Sequence, residues 1–344
     1  MLKQHRRALH AIPELDIHVP QTAAYVRQAL SDLPCRVFSP WGDSVCAYFD
    51  FGKEETLAFR CDMDALPIQE ETGLPFASRH EGKMHACGHD GHMAIMLGLA
   101  AHLAEHPAQK NVLLIFQPAE ETIGGAKEIC RRGLLEEYGV KAVFGLHLWP
   151  MLPKHQVASH AGGMMARASE LTVEVFGRSV HLAKWQDGKD ALAAATEFVQ
   201  KAYALNAPCL LRFGKLTSGS VRNAVSDYSR LEGSLRGFDD AILEQTWESL
   251  QAIAAESDCE IRLHRSEGYP PVCNDAALLQ WARERYPIGD TEPCFIAEDF
   301  SEYQLRVPGV FFFLGTGGEP LHSPKFDFDE TVLDTGVALF RSLL

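Results

Sequence analysis

A chain of 344 residues with 46% hydrophobic and 23% charged side chains, 27 Gly and 18 Pro has a globular composition and the length of two domains rather than one. Its 46 acidic against 32 basic side chains leave a formal charge of −14 with no polybasic run, which removes the electrostatic basis for binding nucleic acid. Nine scattered cysteines without a C-x-x-C pair read as reduced thiols, and the start Met1–Arg7 is too polar for a signal peptide. No apolar stretch approaches the roughly 18 to 20 residues that span a bilayer. The expectation is a cytoplasmic protein with no membrane contact.

In chain order, Thr56–Cys61 is a strand-like run leading into Asp62-Met-Asp64. His92–Glu105 carries apolar residues at helical spacing, Val112–Phe116 is a continuous apolar run, Ala126–Leu135 is helical and Lys141–Leu148 is again strand-like. Apolar strands alternating with helices predict an α/β domain with parallel strands at its centre. From about Ala168 the texture changes, since Glu170–Phe176 alternates polar and apolar as a sheet with one wet face does. A helix (Ala191–Leu205), two strands (Leu210–Leu216, Asp227–Arg236), a helix (Asp240–Ala255) and a strand (Cys259–Arg265) follow, the order of a small two-layer α+β domain. The segment 168–273 therefore reads as inserted into a catalytic domain made of 1–167 and 274–344. The catalytic domain resumes with a helix from Asn274, the strand Val310–Leu314 and a closing helix over Asp329–Leu344.

Five polar clusters each follow a strand-like run in this reading: Asp62-Met-Asp64, Cys87-Gly-His89-Asp90-Gly-His92, Gln117-Pro-Ala-Glu120-Glu121, Gly145-Leu-His147 and Leu321-His322-Ser-Pro324. Functional groups in open α/β sheets gather beyond the carboxyl ends of the strands, so all five can share one crevice. Thiolate, imidazole and carboxylate together suit borderline divalent ions such as zinc and are too rich in nitrogen and sulfur for calcium or magnesium. Alone, Cys87 would be a small buried hydrophobe and His147 a core histidine. His92, at the start of a helix, reads as packing or as support behind a ligand. Glu120-Glu121 is harder to explain structurally, because two adjacent carboxylates after a buried strand repel each other. Adjacent side chains diverge, so one can hold a metal while the other serves as general base and then general acid. His80–His85 misses the H-E-x-x-H spacing by one residue, and no nucleophile elbow, phosphate loop or dinucleotide fingerprint occurs.

The runs Arg60–Pro75, Met84-His-Ala-Cys-Gly-His-Asp-Gly-His92, Phe116-Gln-Pro-Ala-Glu-Glu121, Ala297-Glu-Asp-Phe300 and Leu321-His-Ser-Pro-Lys-Phe326 resemble the amidohydrolase branch of the aminoacylase/carboxypeptidase-type metallopeptidases. That branch includes N-acetyldiaminopimelate deacetylases, hippurate hydrolases and auxin-conjugate hydrolases, and Glu70–Glu121 looks most like the first of these. The resemblance implies a zinc-peptidase-like mixed-sheet catalytic domain carrying an inserted ferredoxin-like lid, two divalent metal ions (zinc or manganese, with cobalt or nickel as further candidates) and a homodimer through the lid. It implies that Cys87 bridges the metals, that His89, Glu121, His147 and His322 complete the two ligand sets, and that Glu120 is the base. Asp62 and Asp64 stand where related peptidases place a metal histidine and its supporting carboxylate, which implies orienting roles. His181, Asn223 and Arg236 occupy places where the family polarises the scissile carbonyl or binds the substrate carboxylate, and in the family the first of these can act across a dimer interface.

Where relatives read G-K-G-G-H-A-A-x-P-H, this chain has Gly177-Arg-Ser-Val-His181-Leu-Ala-Lys-Trp-Gln186, without the Gly pair or the second His. Bulky Val180, Leu182 and Trp185 are expected to reshape the wall of the substrate cleft. The leading expectation is a metal-dependent amidohydrolase that removes an acyl group, in the first instance acetyl, from an N-acyl amino acid. The alternatives are a dipeptidase or carboxypeptidase, a broad aminoacylase of the hippurate hydrolase kind, and a metal-binding module without catalysis.

Overall fold

The computed structural model describes residues 1–344. In chain order the elements are α1 (Leu2–His10), α2 (Pro20–Leu30), β1 (Arg36–Phe38), β2 (Val45–Phe49), β3 (Thr56–Asp62), α3 (His89–Glu105), β4 (Asn111–Gln117), α4 (Gly125–Arg131), α5 (Leu134–Glu137), β5 (Val140–Trp149), β6 (Val157–Ser159), β7 (Gly162–Met165) and β8 (Arg167–Phe176). They continue with α6 (Ala191–Ala204), β9 (Leu210–Ser218), β10 (Tyr228–Gly237), α7 (Asp240–Ala255), β11 (Glu260–Arg265), β12 (Val272–Asn274), α8 (Ala276–Arg283), β13 (Gly289–Asp290), α9 (Ser301–Gln304), β14 (Gly309–Gly315) and α10 (Val332–Ser342). The chain separates into two compact units. The first comprises Met1–Met164, Cys273–Glu292 and Asp299–Leu344, and the second comprises Met165–Val272 with Pro293–Glu298. No helix is long and apolar enough to cross a membrane.

The first unit is built on an eight-stranded mixed sheet in the order β1-β2-β4-β3-β5-β14-β6-β13. Its centre, β4-β3-β5-β14, is parallel, and β2 and β6 join it antiparallel. Every residue of β3, β4 and β14 is buried, as near-continuous apolar strands covered on both faces require. Helix α3 is buried almost all round, so it is a core helix rather than an amphipathic surface one, with α1 and α10 packed on it. The segment expected as one helix over Ala126–Leu135 is two, α4 and α5, because Gly133 between them takes the left-handed conformation (φ 73°) that ends a helix.

The second unit runs β8-α6-β9-β10-α7-β11 and folds as a four-stranded antiparallel sheet in the order β11-β8-β10-β9, the β-α-β-β-α-β pattern of ferredoxin-like domains. In β8, Ser169, Leu171, Val173 and Val175 are buried and alternate with less buried neighbours. The apolar residues join Ala195 and Phe198 of α6 and Leu243 and Leu250 of α7 in one core. Asp190 and Asp239 cap the two helices through their first free N–H groups. The partition starts at Met165 and adds the return segment Pro293–Glu298, which is held by the Ala166 N–H to Ile296 carbonyl bond (3.0 Å) and by Arg236 Nη1 on the Phe295 carbonyl (2.8 Å).

Candidate metal centre and active site

Cys87 and His89 are brought together by the start of α3. Gly88 lies between them at φ 85°, and a Cβ there would come within 3.2 Å of the Leu148 side chain, so glycine both permits the turn and admits β5 beside it. The reading that every polar cluster follows a strand is corrected here. The Cys87–His92 cluster opens a helix, after an irregular stretch whose ladder contact is the isolated Leu66–Met84 bridge. The His89 Nδ1–H donates to the Asp64 carbonyl at 2.8 Å, which leaves Nε2 bare.

Glu120 and Glu121 follow β4 in a strained turn. Ala119 takes φ 62°, rare for a residue with a Cβ. The turn closes tightly because Gly125 packs on the preceding backbone, where a Cβ would sit 2.0 Å from the Pro118 carbonyl oxygen. Asp64 holds the turn from below, its Oδ1 accepting the Glu120 N–H and its Oδ2 the Glu121 N–H, each at 3.1 Å. The two adjacent carboxylates, expected from sequence to diverge, each bring an oxygen within 4.8 Å of the other and of a His89 nitrogen, Glu120 buried and Glu121 half-buried. His322 is exposed, also at a positive φ (64°), and its N–H donates to the carbonyl of Ala86, next to Cys87 (2.9 Å).

These side chains meet. Cys87 Sγ lies 3.4 Å from His147 Nε2, and Glu121 Oε1 lies 3.8 Å from His89 Nε2 and 3.5 Å from His322 Nε2. Cys87, His89 and His147 offer three donor atoms within 4.8 Å of one another, as do Cys87, Glu121 and His322, so two three-donor groups share one thiol. His89, Glu120 and Glu121 form a further group.

The electrostatics match cations held between these donors. His89 Nε2 and Glu121 Oε1 are buried without a hydrogen-bond partner, which is costly unless something positive completes them. Burial, then Glu121 and Glu120, push the Cys87 thiol well above its usual value, and burial and His92 push His147 down to about 3. A neutral imidazole is the form that ligates, and a divalent cation reverses the penalty on the thiolate. The donor set of sulfur, nitrogen and carboxylate oxygen fits zinc-like ions.

Asp62 and Asp64, which sequence left together, separate here. Asp64 clamps the glutamate turn. Asp62 accepts from His92 Nδ1 at 2.6 Å and Arg60 Nη1 at 3.2 Å, and although burial opposes its charge, His89, His92 and Arg60 hold its pKa well below the carboxylate range. Arg60 is itself buried and passes on to Asp299 (2.6 Å), which also accepts from Gln117 (2.6 Å) and the Ala126 N–H (3.0 Å). Sequence reasoning assigned no role to Arg60 or Asp299. The available signal was a charged residue inside an otherwise apolar buried strand.

Helix α1, also unassigned from sequence, brings a second buried network to the same loop. Asp90 accepts from Arg6 Nε at 3.1 Å and His10 Nδ1 at 2.8 Å, and Arg6 reaches Asp327 at 2.6 Å with its guanidinium 4.0 Å from the Phe328 ring centroid.

His181, Asn223 and Arg236 belong to the second unit. His181 caps the short 3-10 turn Leu182–Asp187, its Nδ1 accepting the Ala183 N–H at 3.2 Å, and the Leu182 N–H donates to the Asn223 carbonyl at 3.1 Å. His181 and Asn223 are therefore neighbours and both exposed. Arg236 is half-buried near the far end of β10 from Tyr228, on the order of 26 Å along the strand. Within this unit it does not join the other two.

The comparisons agree on one family. The chain is 33% identical to the N-acetyldiaminopimelate deacetylase of Lacticaseibacillus paracasei, covering 96% of this chain and 94% of that one. Its structure matches that of a protein from methicillin resistant Staphylococcus aureus with a TM-score of 0.92 at 30% identity, over 99% of this chain and 95% of that one. It also matches the Bacillus subtilis YXEP protein, a dinuclear metal binding peptidase, with a TM-score of 0.88 at 31% identity over 99% and 96% of the two chains. The model of Peptidase family M20/M25/M40 matches residues 58–344, a span that contains every donor described above, and the chain belongs to that family.

Proposed function

We propose that the protein is a metal-dependent deacetylase of N-acetylated diaminopimelate-class amino acids. The observation that carries this is the pair of three-donor groups sharing the Cys87 thiol, with Glu120 beside Glu121 and His89. The name of the relatives supports the acyl group and the amine. In this reading Cys87, His89 and His147 hold one ion, and Cys87, Glu121 and His322 hold the other, zinc or manganese. Such ions, when bound, polarise an amide carbonyl and lower the pKa of a water.

The remaining work falls to the chain. Asp64 fixes the Glu120 backbone, and Glu120 takes a proton from the attacking water. Glu120 then delivers that proton to the amine nitrogen as the C–N bond breaks, so the products are acetate and the free amine. His181, Asn223 and Arg236 bind the carbonyl oxygen and the substrate carboxylate. The second unit serves as lid and dimer contact. The unpaired outer edge of β9, with exposed residues along it, supports a homodimer formed there. Free cysteines throughout are consistent with work in the cytoplasm.

The test is kcat/KM of the zinc- or manganese-loaded protein on N-acetyldiaminopimelate, other N-acetyl amino acids, N-benzoylglycine and dipeptides. N-acetyldiaminopimelate is expected to lead by tenfold or more. A preference for dipeptides overturns the deacetylase reading, and full metal occupancy without turnover on any of them replaces it with a binding module.

A further inference from the structure

Strand β5 outruns its neighbour. β3 pairs with it only as far as Arg60–Gly145, while β14 follows it on the other side to Gly315–Trp149. Beyond Gly145 the edge facing β3 therefore has no ladder partner, and the buried Leu148 N–H must find another acceptor. It finds His92, whose Nε2 accepts it at 2.9 Å. A nitrogen that accepts carries no proton, so the proton of the neutral ring sits on Nδ1, where it donates to Asp62 Oδ1 at 2.6 Å. Both ring nitrogens are thus occupied by protein. His92 is not free to ligate, although it lies in a group with Asp62 and His89 that spacing alone would allow to hold a metal.

The same residue orients a proposed ligand through its carbonyl, which lies in the next peptide. The Leu148 carbonyl accepts from His147 Nδ1 at 2.7 Å, which puts the lone pair of His147 on Nε2, the atom 3.4 Å from Cys87 Sγ. The His92 ring also packs edge-on to His147, with centroids 4.7 Å apart, and over His89 at 5.4 Å. We infer that His92 is a positioning residue which takes the place of a strand partner for Leu148 and thereby sets the orientation and tautomer of His147 for metal binding. Partners of this kind behind a ligand are worth roughly 10- to 100-fold in metal affinity when removed. The inference rests on the metal reading of the preceding subsection.

Two substitutions separate the two ends of the ring. In His92→Gln the amide oxygen can reach the Nε2 position and still accept the Leu148 N–H. In His92→Asn the amide reaches only the Nδ1 position, keeping Asp62 and losing Leu148. Zinc affinities of the reloaded proteins, measured by chelator competition, should show one of two ions weakened roughly 10- to 100-fold in His92→Asn and about unchanged in His92→Gln. Equal losses in both variants, or none in His92→Asn, overturn the positioning role. Nitrogen NMR of the wild-type imidazoles needs no variant. It should report His92 as the Nδ1–H tautomer, and an Nε2–H tautomer overturns the role even if a variant does not fold. A wild-type protein that fails to hold two ions instead sinks the metal reading itself.

Discussion

In the first unit the groups that could carry chemistry are enclosed and cross-braced: His89, Asp62, Asp64 and His92 are buried, and hydrogen bonds to His89, His92 and the glutamate turn fix their presentation. In the second unit His181 and Asn223 are exposed, and the backbone bond between Leu182 and Asn223 helps hold them together. Burial makes the first arrangement rigid and makes every unmatched charge in it expensive, whereas exposure leaves the second adaptable and energetically mild. Substitutions should therefore be severe and diagnostic in the first unit and modest in the second.

The largest effect tests whether the braced cluster divides its labour. Replacing Glu120 by Gln should lower kcat by about 100- to 10,000-fold while leaving both ions in place, because it removes a proton carrier and keeps the volume. Replacing Cys87 by Ala should do the reverse and strip metal, since that thiol is common to both donor groups. Elemental analysis beside kinetics checks both. If Glu120→Gln also loses metal, Glu120 is a ligand rather than the base.

The next effect is structural. Asp90 is wholly buried between Arg6 and His10, and removing one partner of a buried ion pair typically costs about 3 to 5 kcal/mol. Asp90→Ala should lower the urea midpoint by a corresponding amount. A shift worth under about 1 kcal/mol would mean that α1 is ornamental to the ligand-bearing loop.

A pH series sharpens the same point. Burial alone would lower the His10 pKa, but Asp90 and Glu70 outweigh it and raise it to about 9 from 6.5. A raised pKa means that the folded state binds the proton more tightly, so this stabilisation is fully present below pH 6.5 and is lost as pH rises through 9. The stability advantage of wild type over His10→Gln, read from urea midpoints, should hold near pH 6 and shrink by about 3 kcal/mol by pH 10. A gap that does not change with pH would remove the charge from His10.

What was legible in the sequence follows the range of the interactions. Strands β3, β4, β5 and β14 announce themselves because each is a local apolar run. The convergence of cysteine, histidine and glutamate could be anticipated from residue types and from loops beyond strand ends. Helix α1 could not, because its sequence Leu2–His10 is polar and the partners that let Arg6 be buried, Asp90, Asp327 and Phe328, lie 84 or more residues away. The separate duties of Asp62 and Asp64 were equally hidden. Alternation along a strand would put both on one face, but β3 ends at Asp62, and Asp62 goes to His92 while Asp64, outside the strand, goes to the glutamate turn.

The smallest effects belong to the second unit, and there the informative quantity is coupling. His181→Ala, Asn223→Ala and Arg236→Ala should leave metal content unchanged and stability within about 0.5 kcal/mol, since two are exposed and none fills the core of that unit. Each should lower kcat/KM by roughly 5- to 30-fold, the worth of one or two hydrogen bonds to a charged or polarised substrate group. His181 and Asn223 are neighbours, so their double variant should be non-additive. Arg236 lies on the order of 26 Å along β10 from Tyr228, the end of the strand that Asn223 precedes, and two sites in one chain usually couple only over much shorter distances. Coupling of Arg236 with His181 in kcat/KM, absent in stability, would require one ligand touching both, with a second copy of the chain supplying one of them. Strict additivity would break the reading that the three residues grip one substrate, while leaving the buried cluster of the first unit untouched.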